Sequence, residues 1–447
     1  MIKIRVQKGY NIKINGRPSP DLEILEKPAE VALMPERIPF VKPRLKVKVD
    51  DPVNVGSIIF EDKRNPDLVF LSPGGGRVMK INYGPRRIIR EIVISLDQNE
   101  AYEAFPIINE VRLKESRRNE LVKMILSGGL WSLFRAFPFR DIPNPDSIPP
   151  LIIVSLNTLE PFQPLPETYL KDNFNLFEFG IKILKKLTNR LIVSTSSDNA
   201  FILDRLDGQV THICNSVYPA DDPGVLLYHI KKKSDENKTW YIGGQDVLLL
   251  AMLLKTGKYP ITKTIVMGGS LAKERKHFLT RTGVSLGHIA KGRTDTQKTA
   301  RYVVGGIFRG YTGREDSYMG FYESSLLALP EGKEKEFFGF ARLGYGKPSR
   351  SRTFLSFINP STLSVDCNCH GEKRACINCG FCADICPVDI LPQFTYKNIL
   401  ADEIDEALEH GLLDCVECGL CTYACPSKLE LCSIFKNTKK AYYLGKL

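Results

Sequence analysis

The stretch Cys376-Ile-Asn-Cys379-Gly-Phe-Cys382-Ala-Asp-Ile-Cys386-Pro387 returns farther along as Cys415-Val-Glu-Cys418-Gly-Leu-Cys421-Thr-Tyr-Ala-Cys425-Pro426. Both runs read C-x2-C-x2-C-x3-C-P, the bacterial spacing for holding [4Fe–4S] clusters, in which the fourth cysteine ligates the other cluster. That rule assigns Cys376, Cys379, Cys382 and Cys425 to one cubane. It assigns Cys415, Cys418, Cys421 and Cys386 to a second, so each cubane staples both halves of the module. Three thiolates two residues apart curl around one face of a cube. The fourth is expected to start a helix pointing away, and the proline stops the loop from folding back.

Other uses of these cysteines fit less well. Eight of the 12 cysteines fall in the two runs, and Cys214 is the one cysteine before residue 367. Disulfides need an oxidising compartment, and the chain opens on Met1-Ile-Lys-Ile-Arg-Val, which reads as a strand rather than a targeting segment. Zinc sites use C-x2-C pairs but not a third cysteine two residues later followed by C-P.

Composition sets wider bounds. A chain of 447 residues with 43% hydrophobic and 25% charged content is ordinary globular material, divided into about three or four domains. Its longest apolar run, Val247–Leu254, is too short to span a bilayer. The expected location is therefore cytoplasmic, with docking on a membrane partner allowed. The net charge of +11 comes from scattered lysines and arginines, with local runs at Lys42-Pro-Arg-Leu-Lys-Val-Lys and Lys231-Lys-Lys. No basic helix carries interleaved aromatics, so no nucleic-acid partner is expected. Such a surface suits an acidic redox donor, anionic headgroups or an integral-membrane partner, and a simply solvated basic surface is the alternative.

The chain reads as a multidomain α+β protein. Residues 1–96 look all-β: Leu45–Asp50 alternates, Gly56-Ser-Ile-Ile-Phe and Val69-Phe-Leu follow, and Ile88–Leu96 closes the set. The pattern resembles a barrel-sandwich hybrid of the lipoyl type. Its hairpin tip, Arg64-Asn-Pro-Asp, leaves Lys63 without the flanks of a carrier lysine, and Gly74–Gly76 leads into a strand, as a turn does. Residues 97–255 bring a helix at Val111–Leu126, a proline-rich crossing at 138–150, and alternating strands and helices of a Rossmann-like α/β layer. Those are Leu151–Ser155, helix Phe174–Leu187, Arg190–Thr195, Thr211–Asn215 and helix Gln245–Leu254. No G-x-G-x-x-G or Walker sequence announces a nucleotide. Residues 256–365 suggest a β-grasp domain of the SLBB-like kind, with a short helix opening at Ser285 and two added strands in 333–357. The helical ferredoxin module occupies 366–447, with one helix, Asn398–His410, between the cysteine runs.

These pieces in this order resemble the NqrA family, the first-named soluble component of the sodium-translocating NADH:quinone reductase, over essentially the whole chain. The resemblance is carried by Met1-Ile-Lys-Ile with Lys8-Gly, Phe60-Glu-Asp-Lys-Arg-Asn-Pro, Gly129-Leu-Trp with Arg135 and Ala136-Phe-Pro-Phe, Gln245-Asp-Val, Gly257-Lys-Tyr and Glu334-Lys-Glu-Phe-Phe-Gly-Phe. The familiar members of that family lack this cysteine set, whereas the C subunit of the Rnf ferredoxin:NAD oxidoreductase carries two such runs on the same plan. That relative binds FMN through a Gly-Gly-Ala-Gly-Phe-Pro-type loop. The matching place here is Ser127–Pro138, where Leu130, Trp131 and Phe134 replace small residues, so FMN is not expected.

The resemblance implies a component peripheral on the inner face of the cell membrane, in a membrane redox complex of either type, relaying electrons through two [4Fe–4S] clusters. The implied partners are integral-membrane and flavin-bearing subunits, with ubiquinone as a further candidate. The alternatives are a self-sufficient flavin dehydrogenase of the Rnf kind and a non-redox adaptor stapled by its clusters. Outside the runs, Cys367, Cys369 and His370 form only a weak metal signal, and a supporting role is the simpler reading. Cys432 reads as a helix-packing thiol and Cys214 as core. His212, His229, His277, His288 and His410 share no metal spacing, and His410 suits a helix C-terminus. No catalytic triad or general-base pair is recognisable.

Overall fold

The computed structural model describes residues 1–445 apart from 158, 333–342, 351–354, 366 and 369–371. The two strands expected in 333–357, the Glu334–Phe340 segment, Cys369 and His370 therefore lie wholly or largely outside the described residues.

The centre is a six-stranded sheet. Its order is Ile2–Ile4, His212–Cys214, Leu191–Ser196, Ile152–Ser155, Trp240–Gly243 and Arg135–Ala136; every pairing is parallel except the last. Ile152, Ile153 and Val154 are fully buried, as a strand covered on both faces must be. One face carries helix Phe174–Leu187, which runs over the residues its periodicity predicts. It packs on helix Gly244–Thr256 through Gly180, where an added Cβ would stand 2.4 Å from Val247 Cγ1. The predicted helix Val111–Leu126 is instead two, Glu110–Glu115 and Arg118–Ser127. Ser116 divides them: its backbone is extended and its hydroxyl donates to Arg112 O at 2.7 Å, the local bond by which serine competes with helix.

Two short N-terminal strands leave the β layer in which the sequence places them. Ile2–Ile4 pairs with His212–Cys214 of the central sheet, and Leu22–Ile24 pairs with His277–Arg281 of another. Alternation marks a strand but not the sheet it joins. The β layer proper spans Glu30–Leu96. A four-stranded antiparallel sheet (Glu30–Leu33, Ile89–Leu96, Gly76–Tyr83, Pro52–Val53) faces a three-stranded one (Pro43–Leu45, Ile58–Asp62, Asn65–Leu71). Phe60 and Phe70 stack at 4.5 Å inside it, among Ile59, Val78, Ile92 and Ile94. The strand expected over Leu45–Asp50 stops at Leu45, because Lys48 N donates to Asp51 Oδ2 at 2.7 Å and Asp50 turns with φ 73°. Gly74 and Gly75 lie in the expected turn, and the next strand opens at Gly76.

A third sheet is mixed, in the order Tyr311–Gly313, Ala300–Val304, Ser325–Pro330, Thr262–Gly268, His277–Arg281, Leu22–Ile24. Ser285 caps helix Leu286–Ala290, accepting from His288 N.

The C-terminal module is helical: Phe381–Asp384, Pro392–Leu400, Ile404–Glu409, Leu420–Ala424 and Leu431–Tyr443. Where the sequence suggests one helix, Asn398–His410, there are two, broken at Asp402 with φ 60°. The helices of the cysteine runs begin just before the third cysteine and not at the fourth. Gly380 and Gly419 open them in the left-handed region, φ 82° and 80°. Cys425 cannot start a helix because it precedes Pro426; its ψ of 115° is extended, as a residue before proline prefers.

The module is not a hanging tail. Ile385, Val388, Ile390, Val416 and Leu420 share one core with Val6, Ile153, Ile192, Leu226 and Leu227 of the central sheet and its helix Pro223–Ile230. Leu226→Ala should therefore cost about 2–5 kcal/mol, the usual range for a buried leucine. Hydrogen exchange should rise in residues 415–425 as well as in the α/β layer, and protection there unchanged would show that the two do not fold as one core.

Candidate metal centre

Four of the sequence-predicted ligands come together in space. Cys386, Cys415, Cys418 and Cys421 line one small chamber, with Leu420 and Phe435 supplying apolar wall. Cys386 belongs to the first run and lies in the chamber lined by three cysteines of the second. Of the other four, Cys376, Cys382 and Cys425 pack about one apolar centre, and Cys382 feels the charges of Cys379 and Cys425. Cys379 faces solvent. Among the described residues, no three His, Cys, Asp or Glu side chains converge on a point that suits a single ion. Four of the thiols instead line a common chamber.

The chemistry of this donor set also fits an iron–sulfur group. Burial pushes the Cys386 thiol up to about 12 and the Cys382 thiol up to about 11. Burial raises Cys415, Cys418 and Cys421 as well. Dry thiols packed side by side resist ionisation, and coordination to a cationic centre is what makes the thiolate form stable there.

Around the second run, side chains from elsewhere in the chain take up the loop carbonyls. Lys439 Nζ, 3% exposed, donates to Cys415 O at 2.9 Å and pairs with Glu417 at 3.0 Å. Arg140 Nη2 donates to Val416 O at 3.1 Å, and Tyr218 OH donates to Cys418 O at 2.7 Å. The Tyr218 ring stacks on Phe308 at 5.0 Å, and Phe308 lies so close that a Cβ on Gly419 would stand 3.0 Å from its carbonyl oxygen. Gly419 is thus needed for both φ and approach. On the first run, Lys8 reaches Ala383 O at 3.3 Å and Asp389 at 2.7 Å, and His229 Nε2 lies 3.2 Å from Pro387 O.

Beside the second run opens a cavity of about 1090 Å³ between the central sheet, the third sheet and the module. Its charged wall includes Arg140, Glu160, Asp221, Asp222 and Arg309. Burial would raise Asp222, but Arg140 at 2.8 Å and Arg309 at 2.7 Å overcome it and hold the carboxyl at about 2. Burial lifts Asp221 to about 7, and the Leu159 N–H that it accepts at 2.7 Å is too little to offset that.

The remaining candidates are dispersed. Cys214 is buried in its strand, as expected. Cys367 interacts with Arg301. His277 is buried between Ser19 O and the Leu165 N–H, His288 meets Glu26 O, and His410 folds back on Glu406 O at 2.6 Å beyond the helix end. Leu130, Trp131 and Phe134 are buried, with Trp131 Nε1 donating to Pro143 O at 2.8 Å. Sequence reading missed the place of Cys432, which lines both the chamber and the large cavity. It also missed Arg140, Tyr218, Arg309 and Lys439, which no motif spacing ties to the cysteines.

Comparison with known proteins gives the lineage. The NqrA N-terminal barrel-sandwich hybrid domain matches residues 4–97, the NqrA second alpha/beta domain residues 116–259, and a 4Fe-4S dicluster domain residues 375–429. The corresponding subunit of the Na(+)-translocating NADH-quinone reductase of Psychromonas ingrahamii is 30% identical over 414 residues, 92% of each chain. This chain belongs to the NqrA family. The family members of Histophilus somni and Neisseria meningitidis serogroup B are each 29% identical, again over 92% of each chain. A chain of an NAD+-reducing [NiFe]-hydrogenase superposes with a TM-score of 0.37 at 10% identity, over 77% of this chain and 66% of that one, too slight a likeness to build on. Among the described residues of this NqrA relative, no helix is long and apolar enough to cross a membrane.

The cavity wall yields a pH test. Asp221 has a folded pKa of about 7, above its unfolded value, so its contribution is fully present below about pH 4 and is lost as pH rises towards 7. Asp221→Asn should remove that loss. Thermal unfolding should find the variant equal to the parent near about pH 4 and more stable, by an amount on the order of a few kcal/mol, above about pH 7. A constant difference across the range would overturn the assignment of this titration to Asp221.

Proposed function

We propose that this NqrA relative relays electrons one at a time through two [4Fe–4S] clusters within a membrane-bound NADH:quinone reductase of the sodium-translocating or Rnf-like type. The observation that carries the reading is the meeting of Cys386 with Cys415, Cys418 and Cys421, which two separate metal loops would not require. When bound, each cubane supplies a one-electron couple. The chain's part is to fix the thiolates, exclude water from the second set and bring backbone N–H groups near the sulfurs at Gly380 and Gly419.

In this reading Cys376, Cys379, Cys382 and Cys425 hold the outer cubane, and Cys386, Cys415, Cys418 and Cys421 the inner. The barrel-sandwich layer (1–96, with its first two strands lent to the other sheets), a Rossmann-like layer (97–255) and an SLBB-like β-grasp layer (256–365) form the body on which the ferredoxin module (366–447) is mounted. The partners are flavin-bearing and integral-membrane subunits on the cytoplasmic face, with quinone as a further acceptor. Ion translocation belongs to those membrane subunits.

Anaerobic iron and acid-labile sulfide analysis, with EPR before and after dithionite and a flavin assay, tests the reading. About eight irons per chain, two reducible signals and no flavin are expected. Stoichiometric FMN would favour a dehydrogenase of the Rnf type. Little iron under strict anaerobic handling would leave an adaptor.

A further inference from the structure

The two cysteine sets sit in unlike surroundings. The first opens to water: Cys379 is exposed, and Ile377 beside it is 66% exposed. The second is the more enclosed, with Cys386 and Cys418 buried and Cys415 and Cys421 half-buried, and enclosure disfavours adding an electron to a centre that is already anionic through its four thiolates. Left alone, the inner cubane would be the harder of the two to reduce.

Three cations converge on it from outside the ferredoxin loops. Lys439 comes from helix Leu431–Tyr443 and is held by Cys415 O and Glu417. Arg140 comes from the proline-rich crossing and bridges Val416 O and Asp222. Arg309 comes from the loop after strand Ala300–Val304, whose Phe308 presses on Gly419. Arg309 uses Nη1 on Asp222 at 2.7 Å, while its buried Nε and Nη2 have no hydrogen-bond partner. Glu160 Oε2 stands 4.0 Å from that Nε, beyond hydrogen-bond reach, and its other oxygen accepts from the Phe308 and Arg309 backbone N–H groups. The Arg309 guanidinium lies 5.8 Å from the centroid of the Tyr218 ring, whose hydroxyl holds Cys418 O, while Arg140 and Lys439 hold Val416 O and Cys415 O directly.

On the strength of the electron-relay reading above, we infer that Arg309, with Lys439 and Arg140, is a positioning group for the inner cubane: their positive charge offsets its burial and keeps it reducible. Asp222 and Glu417 fix the cations in place and neutralise part of their charge, so the less compensated edge of Arg309 carries the largest share. The arrangement binds the third sheet's loop into the electron path, although that loop contributes no ligand.

The test is a mediated dithionite titration followed by EPR on the full chain, with an added soluble paramagnetic chelate broadening the outer, exposed signal to tell the two apart. Arg309→Met should make the inner centre at least tenfold harder to reduce, about 59 mV for one electron, and leave the outer one in place. Arg309→Lys, which keeps the charge, should recover most of the shift. Lys439→Gln should lower the potential of the same centre, and it keeps the test alive if the arginine variant fails to fold. Eight irons per chain with the inner potential unmoved, or both potentials moving alike, would overturn the inference and leave the relay standing. Far fewer than eight irons in the unaltered chain would overturn the relay itself, and the inference with it.

Discussion

Asp222 holds two guanidinium groups at once, and much of the molecule hangs on that contact. Arg140 meets it through a forked contact at 2.8 and 3.0 Å, and Arg309 meets it at 2.7 Å. The carboxylate is 1% exposed and caps helix Pro223–Ile230 through the Gly224 N–H. Buried ion pairs are poor sources of net stability, because desolvation consumes most of what attraction returns. Their value lies in what they specify. Losing one partner strands a buried charge, at a cost of roughly 3–5 kcal/mol, so the three segments are held in one arrangement. Those segments are the crossing loop of the α/β layer, a helix on the central sheet and a loop of the third sheet, and Arg140 extends the contact to Val416 in the second cysteine run.

This contact explains why the cysteine module belongs to the body of the fold. A free-standing dicluster module can be assembled by its metal alone, since ligand binding and folding are one equilibrium. Here the inner face of the module is built into the core that covers the central sheet, with Val416 against Gly224 and Leu420 fully buried. The family relationship covers 92% of the chain, and the 4Fe-4S dicluster match at residues 375–429 lies within the part that is docked this way. The chain thus joins an NqrA body to a cysteine module through packing and charge.

The signals legible in the sequence were local ones. Helix Phe174–Leu187 was readable because its apolar positions recur at the helical period and nothing within it competes. The cysteine runs were readable because a cubane fixes ligand spacing along the chain. Long-range choices were not readable. Nothing in Ile2-Lys-Ile says that it pairs with His212–Cys214 rather than with the β layer that follows it. Arg140, Arg309 and Lys439 look like any of the chain's 62 lysines and arginines until the fold brings them to one place. The start of each short helix was misplaced by treating proline only as a stop, when its effect on the preceding cysteine is what keeps that residue extended.

The asymmetry between the cysteine sets gives this geometry its direction. The outer set presents Cys379 and Ile377 to solvent, beside helix Pro392–Leu400, whose Lys397 is tied to Asn378. The inner set has its loop carbonyls taken by Lys439, Arg140 and Tyr218 and faces a polar cavity between layers. The first set is the more open of the two to a partner in solution, and the loop of the second borders the large cavity through Val416, Glu417 and Gly419. Had both sets been equally exposed, either could short-circuit to solvent oxidants. Had both been enclosed, no partner could reach them. One open set and one clamped set, with Cys386 of the first run lying among the cysteines of the second, is in the proposed reading an arrangement suited to carrying electrons between a surface and an interior.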